Sequence, residues 1–321
     1  MNKQSIKSLL MEIFGDKFVA RIQTIHLKLL QKIPKPRDYH KIILSQEEGN
    51  DIIKQFILSP KPLMITRLGA NESNCVAFYL RHRNSKINKE PYEDAESNNM
   101  RLQAGFFPIN NDSLDAFSKL YIACIGHIDV MGVWFKYYEN IICERFCPEA
   151  SLVPLRSIEP YYSLDPWSKL LEDKKVLVIH PFKESIESQY KKRKLLFSNP
   201  DVLPNFELIT LKAVQSSAKT KPGFETWFDA YEHMCAEVEK IDFDIAIIGA
   251  GAYGLPLAFH IKSLGKKAIH MGGATQILFG IKGKRWDHHE VISKLYNEHW
   301  VRPLPSERPE HYYEIEKGCY W

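Results

Sequence analysis

Gly249-Ala250-Gly251-Ala252-Tyr253-Gly254 carries the sharpest chemical signal in the chain. It is a GxGxxG that follows an apolar run, FDIAII, and precedes a helical pattern. Glycines placed there let backbone N–H groups approach a diphosphate at a helix start. Gly249, Gly251, Tyr253 and Gly254 are therefore read as a nucleotide-phosphate loop, or as a glycine turn needed for close helix–strand packing. A dinucleotide site also asks for an Asp or Glu at the end of the next strand, to hold a ribose. That strand ends Ile269-His270-Met271-Gly272-Gly273, with no carboxylate, so NAD is not expected.

Three other strand ends carry polar residues. Thr66-Arg67-Leu68-Gly69-Ala70-Asn71-Glu72 closes LMITRL. Arg67 suits a phosphate, which its guanidinium grips with two parallel bonds. Glu72 suits a base or a cation ligand; the plainer reading is an Arg–Glu pair beside a helix start. His180-Pro181-Phe182-Lys183-Glu184-Ser185 closes KVLVIH. Ser185 suits a helix cap or a phosphate contact. Gln189 and Arg193 lie at i and i+4 on one face of the helix that follows. Gln215, after FELITLKAV, is either a ligand contact or part of a simple turn. Residues 272–286 then bring Gly272, Gly273, Gln276 and Lys284 among four glycines, three cations and two aromatics. Such a segment wraps a phosphorylated ligand or forms a surface loop.

Strands must deliver these groups to one edge. Apolar runs at 63–68, 175–180, 206–214, 243–248 and 267–270 read as strands. Helical patterns at 46–58, 72–82, 113–125, 133–142, 185–197, 224–240 and up to 264 separate them. Residues 83–104 read as a polar loop. Strands apolar on both faces and alternating with helices predict an α/β fold. Its sheet is Rossmann-like and mostly parallel, with helices on both faces. In such a sheet ligands bind beyond the carboxyl ends of the strands. Pro148, Pro154, Pro160 and Pro166 mark a proline-rich stretch, 148–166. Residues 41–321 are thus one α/β domain, or two lobes (41–150 and 167–321) joined by that stretch.

Of 321 residues, 45% are hydrophobic, and 43 Lys and Arg face 39 Asp and Glu, a formal charge of +4. That is globular and too little charge for a nucleic-acid coat. No apolar run approaches the ~18 residues of a membrane span, and no signal peptide is read, so the expected location is the cytoplasm. Residues 1–38 hold eight cations against three acids, a charge of +5, on two amphipathic helical patterns. A helical leader over 1–40 is expected. It docks on the body or a second subunit, making a homo-oligomer, or it lies peripherally on the inner face of an anionic membrane. The aromatic run Gly318-Cys319-Tyr320-Trp321 is expected to pack on the body or on a partner.

The segment 65–72 resembles the signature of bacterial glycosyltransferases of the GT-D fold. There a strand delivers Arg-x-Gly-Asp-x-Glu, whose acidic pair serves metal and sugar-nucleotide binding. Arg67, Gly69 and Glu72 match; Ala70 stands where the Asp is expected, and Asn71 follows it. The second half, from KVLVIHPF through GAGAYGLPLA to GGATQILFGIKGKRW, is similar to bacterial proteins of surface-polysaccharide gene clusters. The resemblance implies a glycosyltransferase with a nucleotide-sugar donor and a glycan or lipid-linked glycan acceptor. It implies Glu72 as the catalytic or metal-binding carboxylate, with Mn²⁺ or Mg²⁺ in question because of Ala70. The donor site takes Arg67, Gly69, Asn71, His180, Ser185, Gln189, Arg193, Gln215, Gly249, Gly251, Tyr253, Gly254, His270, Gly272, Gly273, Gln276 and Lys284. Two alternatives stand beside it. One is an NAD(P)-dependent or sugar-nucleotide-modifying enzyme built on GAGAYG. The other is a non-catalytic nucleotide or glycan binder.

Overall fold

Seven strands pair in the order β3-β2-β1-β7-β6-β4-β5, and every pairing is parallel. They are β1 (Leu63–Arg67), β2 (Val130–Val133), β3 (Ser151–Pro154), β4 (Lys175–His180), β5 (Glu207–Lys212), β6 (Ile245–Ile248) and β7 (Lys267–His270). The computed structural model describes residues 38–84, 89–217, 220 and 222–321. The expected leader lies almost wholly outside them. Among the described residues no helix is long and apolar enough to cross a membrane.

The continuous apolar strands are sandwiched, as their composition requires. Met64, Leu177, Ile179, Ala246, Ile248 and Ala268 enter one core. Their alternates, Leu63, Ile65, Val176, Val178, Ile245, Ile247 and Ile269, enter the other. Period-two alternation sends neighbours to opposite faces. Each fully buried aliphatic contributes ~1.5–3 kcal/mol.

Ten helices flank the sheet among the described residues: α1 (Gln46–Leu58), α2 (Ala70–Phe78), α3 (Asp94–Leu102), α4 (Asn111–Ile125), α5 (Glu139–Phe146), α6 (Leu155–Ile158), α7 (Lys183–Tyr190), α8 (Trp227–Glu239), α9 (Gly254–Ser263) and α10 (Thr275–Leu278). Three of them start where a capping box forms: Ser45 with Glu48, Asn110 with Ser113, and Thr226 with Asp229. Each box satisfies two otherwise unpaired N–H groups, and losing such a cap costs about 1 kcal/mol.

Five stretches depart from the sequence reading. Residue 133 closes a buried strand, β2, rather than opening a helix, which begins at Glu139. Tertiary contacts override the local pattern there. The Asp129 side chain accepts the N–H of Met64 at 2.7 Å, and Gly132 leaves the space that Ile158 fills. The proline-rich stretch supplies β3 and α6, so it is built into the sheet rather than free of it. The polar segment 83–104 contains α3, of which only Met100 is buried. Past α2, the chain continues as a π-helix, Tyr79–Arg83. The expected helix at 185–197 is α7 followed by a separate 3₁₀ turn, Arg193–Leu195.

Candidate active site

Strand order creates the crevice. From β4 the chain goes to β5 on one side, then returns to β6 on the other. Such a reversal opens a gap beyond the strand ends, where open α/β sheets take their ligands. A cleft lies there, lined by His180 to Phe182 after β4, by 214–217 after β5 and by 249–251 after β6. Gln103, Tyr253, Gly273, Gln276, Tyr320 and Trp321 complete its wall. Counted out to its open mouth, solvent included, its empty space is about 660 Å³.

The loop after β6 is fixed from several sides. The Gly249 N–H donates to the Ile179 carbonyl at 2.9 Å, and Tyr121 Oη donates to the Ala252 carbonyl at 2.6 Å. Thr275 Oγ1 donates to the Ile248 carbonyl at 3.2 Å. The Tyr253 ring stacks on Trp227, centroids 4.6 Å apart and planes 4° apart, and its hydroxyl meets Ser216 Oγ at 2.9 Å. The glycines serve different ends. Gly251 sits at φ +53°, which suits a residue without a Cβ. Gly254 packs α9 onto His270: a Cβ there would lie 2.2 Å from Nε2 of the imidazole. Among the described residues no acceptor takes the N–H of Ala250 or Gly251, and both line the cleft. Two unpaired N–H groups at a strand-to-helix turn form a ready anion contact.

His180 is 4% exposed, and burial pushes its pKa down to about 3. It is neutral at physiological pH. Its Nδ1 accepts the Phe182 N–H at 2.9 Å, so Nε2 carries the proton and is a donor. His270 is equally buried and neutral; its Nδ1 lies 2.9 Å from Thr66 Oγ1.

Beside the cleft lies the end of β1. Glu72 folds over Gly69, where a Cβ would fall 1.8 Å from Oε2. Burial raises the pKa of Glu72; its own backbone N–H and the Arg67 charge act in the opposite direction. Arg67 touches the other rim: Nη1 would stand 3.1 Å from a Cβ on Gly272, at φ +65°. Glu159, after α6, is 9% exposed, and its pKa is raised to about 7 by burial. Neither Ala70 nor Asn71 adds a carboxylate to Glu72. Among the described residues no three His, Cys, Asp or Glu side chains gather to hold a metal. Glu72 is therefore the one signature carboxylate present, and Mg²⁺ is commonly held by one or two carboxylates together with substrate phosphates.

Of the residues read from sequence, His180, Gln215, Gly249, Gly251, Tyr253, Gly273 and Gln276 meet in the cleft. Arg67, Gly69, Asn71, Glu72, Gly254, His270 and Gly272 lie next to it, in or behind the β1 and β7 ends. Three others stand in structural roles. The N–H and Oγ of Ser185 donate to Glu307. Gln189 Nε2 donates to the carbonyls of Gly280 and His299, and Arg193 donates to Asn205 Oδ1 at 2.5 Å. Lys284 is exposed and outside the cleft wall. Gln103, Tyr320 and Trp321 entered the wall without a sequence signal for a site. The expectation that the aromatic run packs on the body holds: Gln276 Nε2 donates to the Tyr320 carbonyl at 3.1 Å, and Trp321 Nε1 to that of Glu307 at 3.3 Å.

No family model matches the chain, and no curated protein does. Two solved structures are similar to it, each with a TM-score of 0.44 over 84% of this chain and 93% of the other. One, 12% identical, is a selenomethionine-substituted domain of unknown function 1792. The other, 13% identical, is described as showing that this highly conserved domain of unknown function has a distinct glycosyltransferase fold.

Proposed function

We propose that the protein is a glycosyltransferase that takes a nucleotide-sugar donor in the cleft between β4 and β6. It serves bacterial surface-polysaccharide or glycoconjugate assembly, with a glycan or lipid-linked glycan as acceptor. The observation that carries this reading is the pair of unpaired N–H groups on Ala250 and Gly251, two residues that line a cleft at the strand-order reversal.

Sugar transfer needs two things from the chain. The acceptor hydroxyl must lose its proton as its oxygen bonds to the anomeric carbon. The bond from that carbon to the diphosphate breaks at the same centre, and the departing charge must be stabilised. The N–H groups of Ala250 and Gly251 and the Nε2–H of His180 are donors for the departing diphosphate. Glu72, made more basic by burial, is the carboxylate assigned to the proton. Stabilisation of the diphosphate is assigned to these donors rather than to a metal held by the protein.

Thermal-shift measurements against UDP-, GDP-, CMP- and dTDP-sugars, with and without Mn²⁺, test the reading. One donor class raises the melting temperature; no response to any of them overturns it. Ala70 supports a second reading, a nucleotide or glycan sensor, which binding without transfer or hydrolysis would select. The nicotinamide alternative has no ribose carboxylate at the β7 end, where His270 instead pairs with Thr66. A saturable fluorescence change on NAD(P)H titration would restore it.

A further inference from the structure

Trp134, the residue after β2, has two cations on its indole. Arg67 Cζ and Lys136 Nζ each stand 4.1 Å from the ring centroid. The ring is held in place by its own Nε1–H, which donates to the Leu68 carbonyl at 2.9 Å. Arg67 spends Nη2 on that same carbonyl, and its Nε is buried without an acceptor. The Lys136 side chain makes no hydrogen bond among the described residues. Among the described residues neither cation has a carboxylate within ion-pair distance.

The nearby acids act on Arg67 and Lys136 from beyond ion-pair distance. Glu139 Oε2 accepts the N–H groups of Trp134, Phe135 and Lys136 and the hydroxyl of Tyr39. Glu72 is folded over Gly69. A third cation, Arg285, lies 4.7 Å from the Tyr320 ring and donates to its hydroxyl at 3.3 Å, with Glu316 as its partner at 2.5 Å. Tyr320 packs against Gly273, and Arg67 against Gly272, so adjacent glycines bring the two groups together. Burial, then the Arg67 charge, lowers the Lys136 pKa; the charges of Glu139 and Glu316 oppose this, and Arg285 adds to it. Like charges gathered in a half-buried place repel unless an anion joins them. Planar guanidinium and ammonium donors set on aromatic rings are suited to phosphate.

We infer that Arg67, Lys136 and Arg285 form an anion site for a phosphate group. It lies beside the cleft, across Tyr320 and the Gly272–Gly273 turn. Two sources carry that chemistry: the diphosphate of the donor, or a phosphate on the acceptor. The assignment deepens the nucleotide-sugar reading and rests on it only for the source of the phosphate.

Inorganic pyrophosphate, titrated into the full chain at low ionic strength with sulfate as a matched control, tests the site. It raises the melting temperature saturably, and Lys136→Gln weakens the apparent affinity at least tenfold while Lys136→Arg restores it. Arg285→Gln weakens it in the same direction. Both positions are accessible, so circular dichroism of the variants matches that of the parent. Equal stabilisation of parent and Lys136→Gln, or none beyond the sulfate control, overturns the inference. Competition separates the sources. UDP or another nucleoside diphosphate displacing pyrophosphate names the donor; dodecyl phosphate displacing it while the nucleotide still binds names the acceptor. Pyrophosphate binding with no nucleotide binding leaves the anion site standing and removes the nucleotide-sugar reading.

Discussion

Glu72→Gln keeps the shape of a side chain folded over Gly69 and removes its charge. Under the proposed mechanism, transfer falls to background while the thermal midpoint stays level or rises, because a buried carboxylate is replaced by a neutral amide. Unchanged turnover takes Glu72 out of the site. The buried histidines give a pH dependence of stability. His180 and His270 have pKa values near 3 in the folded chain, against about 6.5 when unfolded. Between those values the unfolded chain binds more protons, so their contribution is complete above pH 6.5 and is lost as pH falls toward 3. Urea unfolding at pH 7, 6 and 5 should show stability declining with acid, and His270→Asn should flatten that slope by about one proton's worth. Arg67, His180 and Gly249 were legible in sequence because each stands at the end of an apolar strand, and Tyr253 because it lies in the glycine turn that follows one. Gln103 was not, because only tertiary packing brings it to the cleft.

At the level of elements, the GAGAYG turn divides its labour in a way that substitution can reveal. Gly254 has helical backbone angles, and its constraint is the His270 ring. Gly254→Ala therefore overpacks the α9–β7 contact and costs about 1–3 kcal/mol in equilibrium unfolding. Gly251 has open space where a Cβ would go and a left-handed backbone instead. The strands β4, β6 and β7 announced themselves because they are apolar on both faces. The four-residue strands β2 and β3 did not, since each is defined by its register with a neighbour, Ile65 with Val130 and Val130 with Ser151. The helix α3 hid for the opposite reason: burying only Met100, it reads as solvated loop.

For the molecule as a whole, net charge gains meaning only when divided. Residues 1–38 carry +5 of the total +4, which leaves −1 on the rest. If that segment meets a lipid surface, the full chain co-sediments with anionic vesicles and not with neutral ones, and deletion of residues 1–38 abolishes the effect. Binding that survives deletion places the contact on the body. Salt should weaken the interaction, because screening at 0.15 M already confines exposed charges to about 8 Å.

The pairing of β1 with β7 also governs how the chain must assemble. Thr66 and His270 are 204 residues apart in sequence yet in contact at the strand ends. During synthesis β1 leaves the ribosome long before the strand that completes its inner edge exists. Until β7 arrives, β1 presents unpaired backbone along that side, and the Arg67 end of the site has no Gly272 to rest against. Closing so long a loop is slow, and strand edges left open in the interval are prone to association. The candidate site is thus among the last parts of the molecule to be completed, and any protein cut short before residue 267 lacks the Gly273, Gln276, Tyr320 and Trp321 part of its wall.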